Sequence, residues 1–242
     1  MKIIEVFRKE CLTVPDINGV DTVVKELYIY VNSVNSIKQI IDTMELEPDE
    51  VKVCCSDRKR NRELLRNICI SDVTSPNKPV NFFTSKCFQG CNLFTDNGLV
   101  IVVSDANKRS MVTDLSSDLV QIAGRIRKSS NNCFAHTLVH LYTTNSEIMT
   151  DDEFEMVMNE KREKADLIIS GSNKLTKEER RAVISTMVLD NELLSPYEDT
   201  IKRSELKEMF FYYKQAMRKQ YLNGITVKSS YSDKFVVSRQ DY

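Results

Sequence analysis

The sequence predicts an α/β fold: a parallel sheet sandwiched by helices over residues 1–145, then a mainly helical extension over residues 146–242. Three observations carry this. Short, continuously apolar runs recur along the first part, as buried strands require. Stretches with helical spacing separate them, which is the pattern of βαβ units. After Asn145 the apolar runs give way to helix-capping signatures and helical stripes.

The first strand is Glu26–Val31, followed by a helix over Ser33–Met44 with Val34, Ile37, Ile40, Ile41 and Met44 at helical spacing. A second strand, Val51–Cys55, precedes a helix over Arg60–Cys69, with Leu64, Leu65 and Ile68 on one face. Val80–Thr84 is the third strand. Leu99–Ser104 is the fourth, apolar throughout and so buried on both faces. A helix is expected over Ser117–Lys128 and a fifth strand over Thr137–Tyr142. In the extension, Thr150-x-x-Glu153 and Thr176-x-x-Glu179 are capping boxes that open two helices. A third helix, Ser204–Asn223, carries Leu206, Met209, Phe210, Tyr213, Met217 and Tyr221 on one stripe. Ile225–Lys228 and Lys234–Val237 read as a terminal β-hairpin.

Composition narrows the function classes. The 242 residues are 41% hydrophobic and 29% charged, which excludes a disordered or fibrous chain. No run of eighteen apolar residues exists, so no transmembrane helix and no membrane partner are expected. The N-terminus lacks the apolar stretch of a signal peptide, which points to a cytoplasmic protein. Residues 1–145 hold 18 basic against 17 acidic side chains, and residues 146–242 hold 16 against 18. Nucleic-acid binding therefore has to use a local patch. Seven cysteines without C-x-x-C spacing read as buried free thiols rather than a zinc site or disulfide framework. His136 and His140 fall on a strand, where four residues span ~13 Å, too far for one ion to bridge. No metal site is expected from this chain.

The chemistry concentrates in Gln121-Ile-Ala-Gly124-Arg125-Ile-Arg127-Lys128. On a helix, Gln121 and Arg125 share a face, Arg125 and Lys128 are neighbours, and Gly124 allows close backbone approach. That set suits a phosphate. Its bland alternative is a basic surface helix. The densest basic cluster is Arg58, Lys59, Arg60, Arg62 and Arg66. Phe210, Phe211, Tyr212 and Tyr213 offer base stacking, but helical spacing assigns two of them to a core.

Gln-x-x-Gly-Arg-x-x-basic resembles motif VI of the superfamily 2 helicases and translocases. The other motifs of their second RecA-like domain follow in order. Tyr28–Ser33 resembles motif IV. Val51–Asp57, with the basic residues after it, resembles the next strand and helix. Thr84-Ser85-Lys86-Cys-Phe-Gln-Gly90-Cys-Asn92 resembles motif V, with Asn92 where the family has Asp. The resemblance covers about residues 20–145 and implies a RecA-like fold. It implies that Arg125, with Arg127 or Lys128, supplies arginine fingers to ATP. The herpesvirus-like origin-binding branch, which reads Gly-Arg-x-Arg, favours Arg127. The resemblance further implies nucleotide contacts from Gln121, Gly124, Gly90 and Asn92. Contacts to a DNA or RNA strand would come from Ser33, Arg58, Lys59, Arg60, Arg62, Thr84, Ser85 and Lys86.

None of the six glycines is followed by Lys-Ser or Lys-Thr, so there is no phosphate-binding P-loop. Asp152-Glu153 opens a helix and reads as a cap, not a DExx box. The resemblance therefore implies that ATP and Mg2+ are held mainly by an N-terminal RecA-like domain outside this chain. The start at Met1, shortly before the motif IV strand, fits a truncation point. The competing readings are a degenerate helicase-like binding module and a small-molecule Rossmann enzyme. The second needs a Gly-x-Gly-x-x-Gly turn after the first strand, where Val31-Asn32-Ser33-Val34 stands instead.

Overall fold

The computed structural model describes residues 2–16, 18–88, 91–127, 133–135, 137–187, 192–198, 200–231 and 234–237, with the backbone alone for 183–187. The chain divides into two compact units: residues 1–145 with 220–242, and residues 146–219. No helix among the described residues is long and apolar enough to cross a membrane.

The first unit is an α/β domain. Helix α1 (Lys2–Lys9) and a small antiparallel pair, β1 (Thr13–Pro15) and β2 (Asp21–Val23), precede the sheet. The sheet strands are β3 (Glu26–Val31), β4 (Val51–Cys54), β5 (Val80–Phe83), β6 (Gly98–Ser104) and β7 (Leu138–Tyr142). They run in the order β4-β5-β3-β6-β7 and every pairing is parallel. Helices α2 (Val34–Thr43), α3 (Lys59–Leu65) and α4 (Asp118–Ala123) flank the sheet. Period-two alternation divides the strand side chains between two faces. One face sends Leu27, Ile29, Val31, Val53, Phe82 and Ile101 into the main core, with Ile4, Ile37, Ile41 and Leu65 of the helices. The other carries Tyr28, Tyr30, Phe83 and His140. Phe83 stacks between the tyrosines, at 6.1 and 5.1 Å between ring centroids. Gly98 is required here, because a Cβ at that position would lie 2.5 Å from the Tyr28 ring and from Thr95.

Three expected helices end early, one of them the helix expected over Ser204–Asn223, which stops at Lys219. Arg66 takes φ 54°, so α3 stops at Leu65 rather than reaching Cys69. Helix α4 stops at Ala123 rather than Lys128, because Ile126 leaves the helix to pair with Leu93. The expected terminal hairpin is also corrected: residues 224–231 form helix α8 (Gly224–Tyr231). The Asn223 side chain accepts from the N–H groups of Ile225 (2.9 Å) and Thr226 (3.0 Å), an N-cap that outweighs the β-branched run. Val227 and Tyr231, four residues apart, then bury one face. The cysteines split as well. Cys54, Cys55, Cys87 and Cys91 are buried, but Cys11 and Cys69 are exposed.

The tail returns to the tyrosine-bearing face of the sheet. Tyr221 Oη donates to Thr113 O (2.7 Å) and lies 3.1 Å from Ser104 Oγ. Gln220 Oε1 accepts from Leu115 N (2.9 Å). His140 bridges Ser104 Oγ (2.9 Å) and the Tyr231 hydroxyl.

The second unit holds α5 (Asp151–Ser172), α6 (Lys177–Met187), an antiparallel pair β8 (Leu194–Tyr197) and β9 (Thr200–Arg203), and α7 (Glu205–Lys219). Thr150 and Glu153 cap α5 reciprocally. Phe211 and Tyr212 pack on a small core of Phe154, Met158, Ala165, Leu193, Leu194 and Ile201. Of Phe210, Phe211, Tyr212 and Tyr213, two enter the core as expected, Phe211 and Tyr212; of the stripe residues, Leu206, Met209, Phe210 and Tyr213 are exposed, whereas Tyr221, beyond the end of α7, is buried.

Burial pushes the His140 imidazole down to about 4. The unfolded chain therefore takes up the proton first. Stability is full above about pH 6.5 and is lost as pH falls towards 4. This residue alone accounts for about 2 kcal/mol between pH 7 and pH 5. Urea unfolding of His140→Gln should show a much flatter response across that window than the parent chain. Equal slopes would mean that the ring is not buried neutral.

Candidate functional site

The loop after β5 starts with a turn over Ser85–Cys87 and continues to Leu93. The segment after α4 comes back beside it. Leu93 N donates to Arg125 O (3.0 Å) and Arg127 N donates to Leu93 O (2.9 Å). Leu93 and Ile126 are both buried, so this pairing is anchored in the interior. An extended Arg125-Ile126-Arg127 segment puts the two arginines on the side opposite Ile126.

The two stretches that resemble motifs V and VI are thereby joined. Arg127 is exposed and its Nε donates to Asn92 Oδ1 (2.7 Å). Arg125 is half-buried. Its Nε donates to Gln121 O (2.9 Å) and its Nη1 to Cys91 O (3.3 Å). Among the described residues no carboxylate pairs with Arg125, and its Nη2 makes no hydrogen bond. Beneath it, Tyr30 stacks on Phe83 and packs against Phe88 at 5.8 Å. Among the described residues the buried Tyr30 hydroxyl has no hydrogen-bond partner, and burial raises its pKa well above the usual phenol range.

Gln121 is half-buried on α4, but Arg125 lies beyond the helix end and reaches Gln121 through its backbone carbonyl, not along a shared helical face. Gly124 caps α4. A Cβ there would meet nothing nearer than 3.7 Å, so the unit's own packing does not require glycine. Gly90, Lys128 and His136 lie outside the described residues.

Asn32 was not singled out by sequence and organises the strand ends. Its Oδ1 accepts from Ser85 N (3.1 Å) after β5, and its Nδ2 donates to Ser110 O (2.8 Å) after β6. Its place just beyond the central strand was the available signal. Ser33 caps α2, its hydroxyl accepting from Ser36 N (3.2 Å). Thr84 is buried, with its hydroxyl 3.5 Å from Cys54 O. Both hydroxyls are engaged in the fold.

Arg58, Lys59, Arg60, Arg62, Ser85 and Lys86 are exposed. Arg62, Arg66 and Lys86 line one open cleft of about 430 Å³ with Asp57, Ile68, Cys69, Ile70, Ser71 and Asp72. Arg62 pairs loosely with Asp57 (3.4 Å). Arg58, Lys59 and Arg60 do not line this cleft. The left-handed backbone at Arg66, costly for a side chain with a Cβ, lies where α3 ends and the cleft wall begins. Neither a protein-family model, nor a curated protein, nor a solved structure matches this chain.

Proposed function

We propose that this chain is the C-terminal motor half of an ATP-dependent superfamily 2 helicase or translocase with a RecA-like fold. The observation that carries the reading is the pairing of Leu93 with Ile126, which sets Asn92, Arg125 and Arg127 side by side. Two motif-like stretches, far apart in sequence, meet where a shared phosphate ligand needs them. The parallel five-stranded sheet is compatible with the fold.

The donor set fits phosphate oxygens. Arg127 is exposed, and among the described residues Arg125 is held by two carbonyls and meets no acid. Guanidinium groups offer planar, permanently charged donors for phosphate. ATP is the substrate in this reading, held with Mg2+ by an N-terminal RecA-like domain of the same or another chain. Among the described residues no three potential metal ligands converge, so no step is assigned to the metal here. Arg125 would stabilise charge developing on the transferred phosphoryl group, a role typically worth about 10³–10⁵ in rate. Gly124 leaves room beside Arg125 for a ligand held by the other domain.

The cleft of Arg62, Arg66 and Lys86 is the proposed contact to a DNA or RNA strand. Its cations sit among two aspartates, so binding is weak and salt-dependent. Three neutralised phosphates on a single strand give a slope of log K against log salt of about −2. The triple variant Arg62→Ala, Arg66→Ala, Lys86→Ala should weaken binding of a fluorescent oligonucleotide at least about tenfold and flatten that slope. Unchanged binding across a salt titration would remove the cleft from the account.

In the protein joined to its ATP-binding domain, Arg125→Ala should leave nucleotide affinity largely intact while turnover falls by about three orders of magnitude or more. Turnover within a factor of two of the parent enzyme would reject the finger role and favour a binding module without hydrolysis.

A further inference from the structure

The functional reading leaves the second unit unused, although its last helix holds four aromatic residues in a row. Folding divides them. Phe211 and Tyr212 pack on the small core, whereas Phe210 and Tyr213 are 52% and 44% exposed. Three residues apart on α7, these two rings are neighbours on the helix surface. Leu206 and Met209, also exposed, continue the apolar stripe towards the helix N-terminus.

A row of cations borders the stripe. Lys207, Lys214 and Arg218 are spaced by seven and four residues, so they follow one edge of α7. The Lys214 ammonium stands 4.3 Å from the centre of the Phe210 ring. The same composition recurs just before the helix. Leu194 and Ile201 turn into the small core, so alternation puts Tyr197 and Lys202 on the outer side of the β8–β9 pair. There Lys202 Nζ lies 3.8 Å from the centre of the exposed Tyr197 ring. Of the two acids on α7, Glu208 is taken up by Arg162 and Arg203, which leaves Glu205 at the first residue of the helix.

We propose that this face of α7 binds single-stranded nucleic acid by stacking bases on Phe210 and Tyr213. A single strand offers flat apolar faces along one side and a regular series of negative charges along the other. The bases would lie on the ring stripe and the phosphates along the basic edge. Lys214 carries its charge on a flexible four-carbon stem, so the ammonium can swing from the Phe210 ring to a phosphate as a base takes its place. Stacking on rings accepts every base, so binding is tolerant of sequence and weakened by salt. A duplex, whose base faces are covered, does not satisfy the rings. A protein partner would match the apolar stripe but has no need of the row of cations. The proposal uses residues of the second unit alone and does not rest on the motor reading.

The chain contains no tryptophan, so Phe210→Trp in the whole chain puts a single reporter in the stripe, at a position exposed enough to accept it. Titration at low salt with an oligothymidylate of about 12 nucleotides should quench its fluorescence to a plateau, and added salt should reverse the quench. Heparin, a polyanion without bases, should leave most of the fluorescence in place. The pair Phe210→Ala, Tyr213→Ala should weaken oligonucleotide binding at least about fivefold. The same loss is expected when Arg62, Arg66 and Lys86 are already alanine, so failure of the cleft and failure of this face are told apart. Quenching no greater than in Val20→Trp, an exposed reporter in the first unit, would overturn the proposal, as would equal quenching by heparin. A parent chain that sediments at twice its monomer mass and dissociates on Leu206→Asp would assign the stripe to a second copy and overturn it too.

Discussion

The backbone of Leu93 exchanges two hydrogen bonds with the Arg125-Ile126-Arg127 segment, and the arrangement of the arginines depends on that exchange. Neither partner belongs to the main sheet. Each is a connecting segment, and connecting segments ordinarily stay mobile unless something buries them. Here Leu93 and Ile126 are both buried, so opening the pair exposes apolar surface and frees backbone groups at once. The pairing then dictates the rest of the site. Arg125 meets the Cys91 carbonyl, and Arg127 meets the Asn92 amide oxygen. It also ends α4 at Ala123, because Ile126 cannot both continue a helix and pair with Leu93.

The two faces of the sheet do different work. One is packed with aliphatic side chains, and its role is stability. The other mixes stacked rings with buried polar groups: the Tyr30 hydroxyl, the Cys54 and Cys87 thiols, and the Ser104–His140–Tyr231 chain. Buried polar groups cost free energy unless satisfied, so the hydrogen bonds around His140 hold the returning tail in one position. At the strand ends, Asn32 makes a similar connection between the segments after β5 and β6. The candidate site lies over this polar, ring-lined face.

Much of the sheet was legible because buried parallel strands leave a plain mark. Glu26–Val31 has the bounds read from its unbroken apolar run, and Val51–Cys54, Val80–Phe83, Gly98–Ser104 and Leu138–Tyr142 differ by a residue at an end. What local pattern missed was decided by side-chain capping and by long-range pairing. Asn223-Gly224 reads as a helix stop, but the Asn223 side chain caps a new helix. The stripe on α7 was real in period, but the small core took the opposite side, Phe211 and Tyr212. In the site, the spacing of Gln121 and Arg125 suggested a shared helical face. Their contact instead runs through a carbonyl past the helix end. Ser33 and Thr84 were legible as polar residues at strand ends. Their use in capping and burial was not, since it depends on neighbours brought in by folding.

The most direct measurement is residue-resolved amide hydrogen exchange of the whole chain at neutral pH. The account predicts that the Leu93 and Arg127 amides are protected, exchanging at rates closer to the sheet strands than to an unstructured chain. Exchange of both at the rate of unstructured loops would contradict it, since the segments would then not be paired and the arginines would not share one site.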